Sequence, residues 1–165
     1  MPSVYLAGPD LFYPGYPALI KKTVFTGAEL GFNVLFPGDG DSAHPTEIFQ
    51  RNLKCINDCD GIIANLNPFR GHEPDSGTVF EIGYGYALGK WIVGYMKDQR
   101  DVLSRLKDIP GCLKPDSLTC ADGSLVEDFG LPVNLMPSLA LWSLTETLEQ
   151  ALIMANRKLI LDDAL

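Results

Sequence analysis

Residues 61–95 read GIIANLNPFRGHEPDSGTVFEIGYGYALGKWIVGY. The segment opens with a short apolar run, Gly61-Ile62-Ile63-Ala64-Asn65-Leu66, and closes with another, Trp91-Ile92-Val93-Gly94-Tyr95. Neither run alternates polar with apolar residues, so each reads as a strand buried on both faces, the pattern of a parallel sheet. Parallel neighbours need a crossover, and Ser76 to Leu88 supplies one with a helical pattern. Asp75 or Ser76 is the candidate N-cap of that helix, because a short side-chain oxygen there accepts from a first-turn N–H.

The same alternation extends in both directions. Strand-like runs precede the segment at Val4-Tyr5-Leu6-Ala7 and Phe32-Asn33-Val34-Leu35-Phe36, and a weaker one follows at Ser138-Leu139-Ala140-Leu141. Helical patterns cover Tyr16 to Leu30, Pro45 to Asn57 and Leu144 to Lys158. Alternating strands and helices predict an α/β fold, a central parallel five-stranded sheet with helices on both faces, in one domain over residues 1–165. Such sheets bind ligands beyond the carboxyl ends of their strands. The loops there are Gly8 to Gly15, Pro37-Gly38-Asp39-Gly40-Asp41 and Asn67 to Asp75, all rich in Gly, Pro and Asp. Lys97 to Val133 shows no clear periodicity, and a loop that long predicts a binding loop, a subunit contact or partial disorder.

Composition excludes several partners. A net charge of -8 disfavours nucleic acid, whose binding needs Lys and Arg to neutralise phosphates. No run of about 18 apolar residues predicts a membrane span. The start, MPSVYLAGPD, lacks the basic and apolar regions of a secretory signal, so the expected location is the cytoplasm. Cys55, Cys59, Cys112 and Cys120 form no CxxC pair, and His44 and His72 sit among Gly and Pro outside any HExxH helix. Neither metal nor organic cofactor is expected. A small-molecule ligand is.

Glu81 stands out because Val79, Phe80, Ile82, Tyr84, Ala87 and Leu88 surround it, and burying a carboxylate without a partner is costly. Gly77, Gly83, Gly85 and Gly89 lie on or beside the same helix, each interior one costing about 1 kcal/mol against Ala. Tight packing on the sheet and room for a ligand over Glu81 both explain them.

Four blocks in order, Tyr5-Leu6-Ala7-Gly8-Pro9, Asp60 to Leu66, Asp75 to Tyr84 and Gly130-Leu131-Pro132-Val133-Asn134-Leu135-Met136, resemble the nucleoside 2-deoxyribosyltransferase family over about residues 3 to 142. The resemblance implies a flavodoxin-like three-layer sandwich and exchange of the base of a 2′-deoxynucleoside for another purine or pyrimidine. Glu81 is then the nucleophile, forming a 2-deoxyribosyl ester that a second base attacks. Tyr5 holds that carboxylate, and Asp60, at the start of the third strand, matches the acid that protonates the leaving base. Asp75 accepts from the 5′-hydroxyl. Asn134 reaches the same hydroxyl from a neighbouring subunit, with Met136 as an apolar wall, which implies a homo-oligomer. Gly8 belongs to the first block, and Asp10, Leu11, Phe12 and Tyr13 are candidates for the base-pocket wall.

Two alternatives accompany this reading. Glycosidases acting on 2′-deoxynucleoside 5′-monophosphates share the fold and the glutamate, but they place serines around the phosphate where Asp75 would repel it. A non-catalytic flavodoxin-like nucleotide-binding module is compatible with the fold, although no GxGxxG follows the first strand.

Overall fold

A computed structural model describes residues 1–38, 44–115 and 118–164. The elements run β1 (Ser3–Ala7), a 3-10 turn (Pro9–Phe12), α1 (Tyr16–Glu29), β2 (Asn33–Leu35), α2 (Pro45–Asp58), β3 (Gly61–Asn65), α3 (Ser76–Ala87), β4 (Trp91–Tyr95), α4 (Val102–Lys107), α5 (Leu135–Ala140), β5 (Ser143–Thr145) and α6 (Leu148–Asp163). The strands form one sheet in the order β2-β1-β3-β4-β5, with every pairing parallel. This is the flavodoxin-like order. Succession reverses between β1 and β3, leaving a crevice at their carboxyl ends.

Because successive side chains point to opposite faces, each strand feeds two cores. Tyr5, Ala7, Ile62, Ala64 and Ile92 pack with Ile56 of α2 and Ile82 of α3 on one face. Val4, Leu6, Ile63 and Val93 pack with Leu148, Ala151, Leu152 and Ala155 of α6 on the other, where α1 adds Leu19 and Ile20.

Helix α3 starts where the sequence places it: the Asp75 side chain accepts from Thr78 N at 3.1 Å. It ends at Gly89, whose φ of 73° suits glycine, while Lys90 N returns to Gly85 O at 3.0 Å. Gly85 explains part of the glycine pattern. A Cβ there would lie 2.3 Å from Ile62 Cδ1, so this glycine lets the helix sit directly on β3.

The fifth strand differs from expectation. Ser138-Leu139-Ala140-Leu141 does not form it; the run closes α5, and β5 is Ser143–Thr145. A short apolar run fits either element, and here Asn134 decides by capping the helix, its side chain accepting from Met136 N at 3.0 Å. The strand follows where Trp142 N reaches Ile92 O at 2.8 Å and Met96 N reaches Thr145 O at 3.0 Å. Helix α6 therefore begins at Leu148 rather than 144, capped by Thr147. The 97–133 stretch also contains more than loop, with α4 and the isolated bridges Leu113↔Cys120 and Thr119↔Leu125. Positions 39–41 of the second loop lie outside the described residues.

Replacing Gly85 with Val should overpack the α3–β3 contact and destabilise the fold by about 1–3 kcal/mol, as overfilled cores do. Urea unfolding followed by circular dichroism measures it. An unchanged midpoint would mean that α3 can lift from β3 at no cost.

Candidate active site

Strand β1 and helix α3 meet in one polar contact. The Tyr5 hydroxyl donates to Glu81 Oε1 at 2.6 Å, across 76 residues of sequence. Tyr5 is fully buried and its position is fixed by pairing with Ile62 of β3. Burial and the Glu81 carboxylate push the Tyr5 hydroxyl well above its ordinary range, which keeps it a donor. Burial also pushes the Glu81 carboxyl up from 4.5 to about 7, the Tyr5 hydrogen bond opposing the shift and the nearby Asp75 carboxylate adding to it.

Glu81 faces a cavity of about 400 Å³ between α2 and α3. Its lining is mostly apolar, from Ile48, Phe49, Leu53 and Ile56 of α2 and Phe80 of α3, with Gly77 also on the wall. Asn52 of α2 is the further polar residue on the wall. Its side-chain oxygen is buried without a hydrogen-bond partner.

Asp75 is at the amino end of α3, where Oδ2 accepts from Thr78 N and Thr78 Oγ1. The structure therefore brings Tyr5, Glu81 and Asp75 together. It does not bring Asp60 to them. Asp60 is exposed at the amino rim of the sheet, where its Oδ2 accepts from Ser3 N at 2.7 Å and its own N–H donates to Ser3 O at 2.8 Å. Preceding β3, it sits two positions before the residue paired with Tyr5, on the side away from the carboxyl ends. The sequence reading of Asp60 as the acid is corrected on that ground. Asn52 was missed because a polar residue on an amphipathic helix ordinarily faces water, and periodicity carries no sign of the contrary.

Gly8 and Phe12 lie on the carboxyl rim. A Cβ on Gly8 would come within 2.6 Å of Asp10 Oδ2 and 2.8 Å of Asn65 Cβ, so this glycine lets the turn after β1 pack against β3. Asp10 anchors that turn, accepting from Asn65 Nδ2 at 3.0 Å and from the Tyr95 hydroxyl at 3.2 Å. Phe12 stacks on Phe69 with ring centroids 5.6 Å apart, and the Arg70 guanidinium lies over both rings. None of these residues lines the Glu81 cavity.

Asn134 and Met136 point elsewhere within the chain. Asn134 caps α5 and donates to Glu127 Oε1 at 2.6 Å, while Met136 is 75% exposed. Behind them, the buried Arg105 guanidinium donates to the carbonyls of His72 and Pro132, fastening the loop before α3 to the segment before α5. Among the described residues no group of three or more His, Cys, Asp and Glu side chains could hold a metal ion, and no helix is long and apolar enough to cross a membrane.

Tyr5 thus holds a carboxylate that faces an apolar cavity beside a parallel sheet. The family model described as nucleoside 2-deoxyribosyltransferase matches residues 4–136. A 2-deoxyribosyltransferase from Leishmania mexicana superposes with a TM-score of 0.82 at 32% identity, covering 95% of this chain and 98% of that one. A conserved protein from Enterococcus faecalis shares the fold, with a TM-score of 0.63 at 20% identity over 96% and 99% of the two chains. An uncharacterised protein of Schizosaccharomyces pombe is 32% identical over 82% of this chain and 75% of its own. The chain belongs to the nucleoside 2-deoxyribosyltransferase family. Its activity falls within deoxyribosyl transfer and the related cleavage of N-glycosidic bonds.

The raised Glu81 carboxyl makes a stability prediction with a definite sign. A folded-state value above the unfolded one means that the group's stabilising contribution is full below pH 4.5 and is lost as the pH rises to about 7. That interval is worth about 3 kcal/mol. Glu81→Gln keeps an acceptor for Tyr5 and removes the titration. Relative to wild type, it should gain stability between pH 5 and pH 8 in urea unfolding. An equal difference at both pH values would show that burial does not shift this carboxyl.

Proposed function

We propose that the protein exchanges the bases of 2′-deoxynucleosides by a retaining double displacement through Glu81. The Tyr5–Glu81 pair on the cavity wall carries this reading. Tyr5 donates to one carboxylate oxygen, which directs the other toward the anomeric carbon. A new bond from Glu81 to that carbon replaces the bond to the departing base, and an incoming base reverses the step on the same face. Water at the same ester gives free deoxyribose, so hydrolysis is the side reaction. The nucleophile is the ionised carboxylate, so activity in the first half-reaction should rise with pH through about 7.

Asp75 supports a free nucleoside over a nucleotide. Its Oδ2 is engaged by Thr78 and its charge lies close enough to act on Glu81, so on this reading a 5′-hydroxyl donates to it and a 5′-phosphate is repelled. Incubation with 2′-deoxyinosine, with and without free adenine, tests transfer directly. The expected product is 2′-deoxyadenosine, and release of hypoxanthine at a rate indifferent to adenine would make the protein a hydrolase. Glu81→Ala should abolish both reactions in a folded protein, whereas Asp75→Ala should chiefly raise the Michaelis constant.

A neighbouring copy completes the site on this reading. Phe80, Tyr86, Met136 and Leu139 are 52%, 61%, 75% and 66% exposed along α3 and α5, an apolar strip that water disfavours. A second subunit laid on that strip covers it and can present Asn134 to the 5′ end of the substrate. Leu139→Glu should convert the oligomer to a monomer in analytical ultracentrifugation and lower activity at least tenfold. A fully active monomer would remove Asn134 from the site.

A further inference from the structure

All four cysteines are free, and their surroundings separate them into two kinds. Cys59 is buried just after α2, its Sγ donating to Ile56 O at 3.2 Å, and burial pushes its thiol up to about 11. Cys55, one turn earlier, is half-buried against the core that contains Tyr5. Cys112 and Cys120 are half-buried on an arm outside the sheet, between α4 and α5. That arm folds back on itself. Cys120 forms a bridge with Leu113, Ala121 N donates to Cys112 O at 2.9 Å, and a second bridge joins Thr119 to Leu125. The two cysteines therefore occupy neighbouring rungs, and adjacent antiparallel chains hold Cα atoms within the range of about 4.4–6.8 Å that a disulfide spans. Their side chains line one cavity of about 370 Å³. They also act on each other: burial pushes the Cys112 thiol up, and the charge of Cys120 and a hydrogen bond with it push it further. Among the described residues no third His, Cys, Asp or Glu completes a metal set with them. What the pair offers is a dithiol.

We propose that Cys112 and Cys120 form a reversible redox site, which exchange with a low-molecular-weight disulfide converts to an intramolecular disulfide. One thiolate attacks a sulfur of the reagent, forming a mixed disulfide and expelling the other half of the reagent as a thiolate. The second cysteine then attacks the protein sulfur of that mixed disulfide and expels the remaining half. Two electrons pass to the reagent, its two halves take up the two protons, and the protein gains one S–S bond. The second step needs no diffusion, because the arm already holds the two side chains together. The new bond closes the base of the arm. Beyond it, Val126 N donates to Leu118 O at 2.8 Å, and Glu127 accepts from Asn134 Nδ2 at 2.6 Å and from Leu135 N at 2.9 Å. Oxidation thus stiffens the support of Asn134 and of the start of α5, and reduction releases it. This site is independent of the base exchange proposed for Glu81.

The test treats the native full-length protein with oxidised glutathione at pH 8, alkylates the remaining thiols under denaturing conditions, and maps the digest by mass spectrometry. The expected product is one bridge, Cys112 to Cys120, reversed by dithiothreitol, with Cys55 and Cys59 recovered alkylated. Bridging should run about tenfold or more faster at pH 9 than at pH 7, because the thiolate is the attacking form. Cys112→Ser should stop at a mixed disulfide on Cys120. Mixed disulfides on Cys112 and Cys120 that never close, a bridge that forms elsewhere, or no reaction at all overturns the inference. Hydrogen exchange at the amides of Val126 and Leu135 should slow at least threefold in the oxidised protein, and unchanged exchange overturns the coupling to Asn134. Should Cys112→Ser fail to fold, the wild-type peptide map decides alone. Neither readout uses a nucleoside, so failure here is distinguishable from failure of the catalytic reading.

Discussion

The hydrogen bond from Tyr5 to Glu81 is the contact on which the proposed chemistry depends. It is 2.6 Å long and joins the second core position of β1 to the middle of α3, so the first strand and the third helix must both be docked for it to exist. It has two opposing effects on Glu81. Docking α3 against α2 and the sheet removes water and raises the carboxyl, while Tyr5 returns part of the stabilisation to the ionised form. The proposed nucleophilic role needs both, since a fully solvated carboxylate is too well satisfied to react and a fully desolvated one is protonated. The sheet supplies the rigidity, because β1 lies between β2 and β3 and has little freedom to shift.

Much of this was legible from residues alone. The buried runs around Tyr5, Ile62 and Ile92 gave the parallel sheet because strands covered on both faces have a simple signature. The oddity of Glu81 was legible for a related reason: a carboxylate among large apolar residues is expensive, and expense points to use. The fifth strand was not legible. Its apolar run, Ser138 to Leu141, has the composition of either element, and the deciding signal was a capping asparagine four residues earlier, whose weight is visible only once Asn134 is seen accepting from Met136 N.

Site residues divided along another line. Asp75 caps the helix that carries Glu81, so one element holds both. Asp60 and Asn52 belong to a strand entrance and a helix, and their distance from Glu81 depends on which end of β3 and which face of α2 meet α3. The family resemblance suggested the carboxylate; packing left it at the amino rim, bonded to Ser3, and turned the amide toward the cavity instead. Polar residues on amphipathic helices are the places where sequence periodicity is least able to separate solvent from substrate.

Arg105 bears on how this chain can vary. Its guanidinium holds the segments before α3 and α5 through main-chain carbonyls alone, those of His72 and Pro132. A carbonyl is present whatever the side chain, so positions 72 and 132 can drift in sequence without loosening the clasp. Position 105 cannot drift in the same way, because lysine concentrates its charge at a point and does not span two acceptors as a planar fork does. The segments before α3 and α5 are thus free to diverge in surface chemistry while one buried residue preserves their spacing.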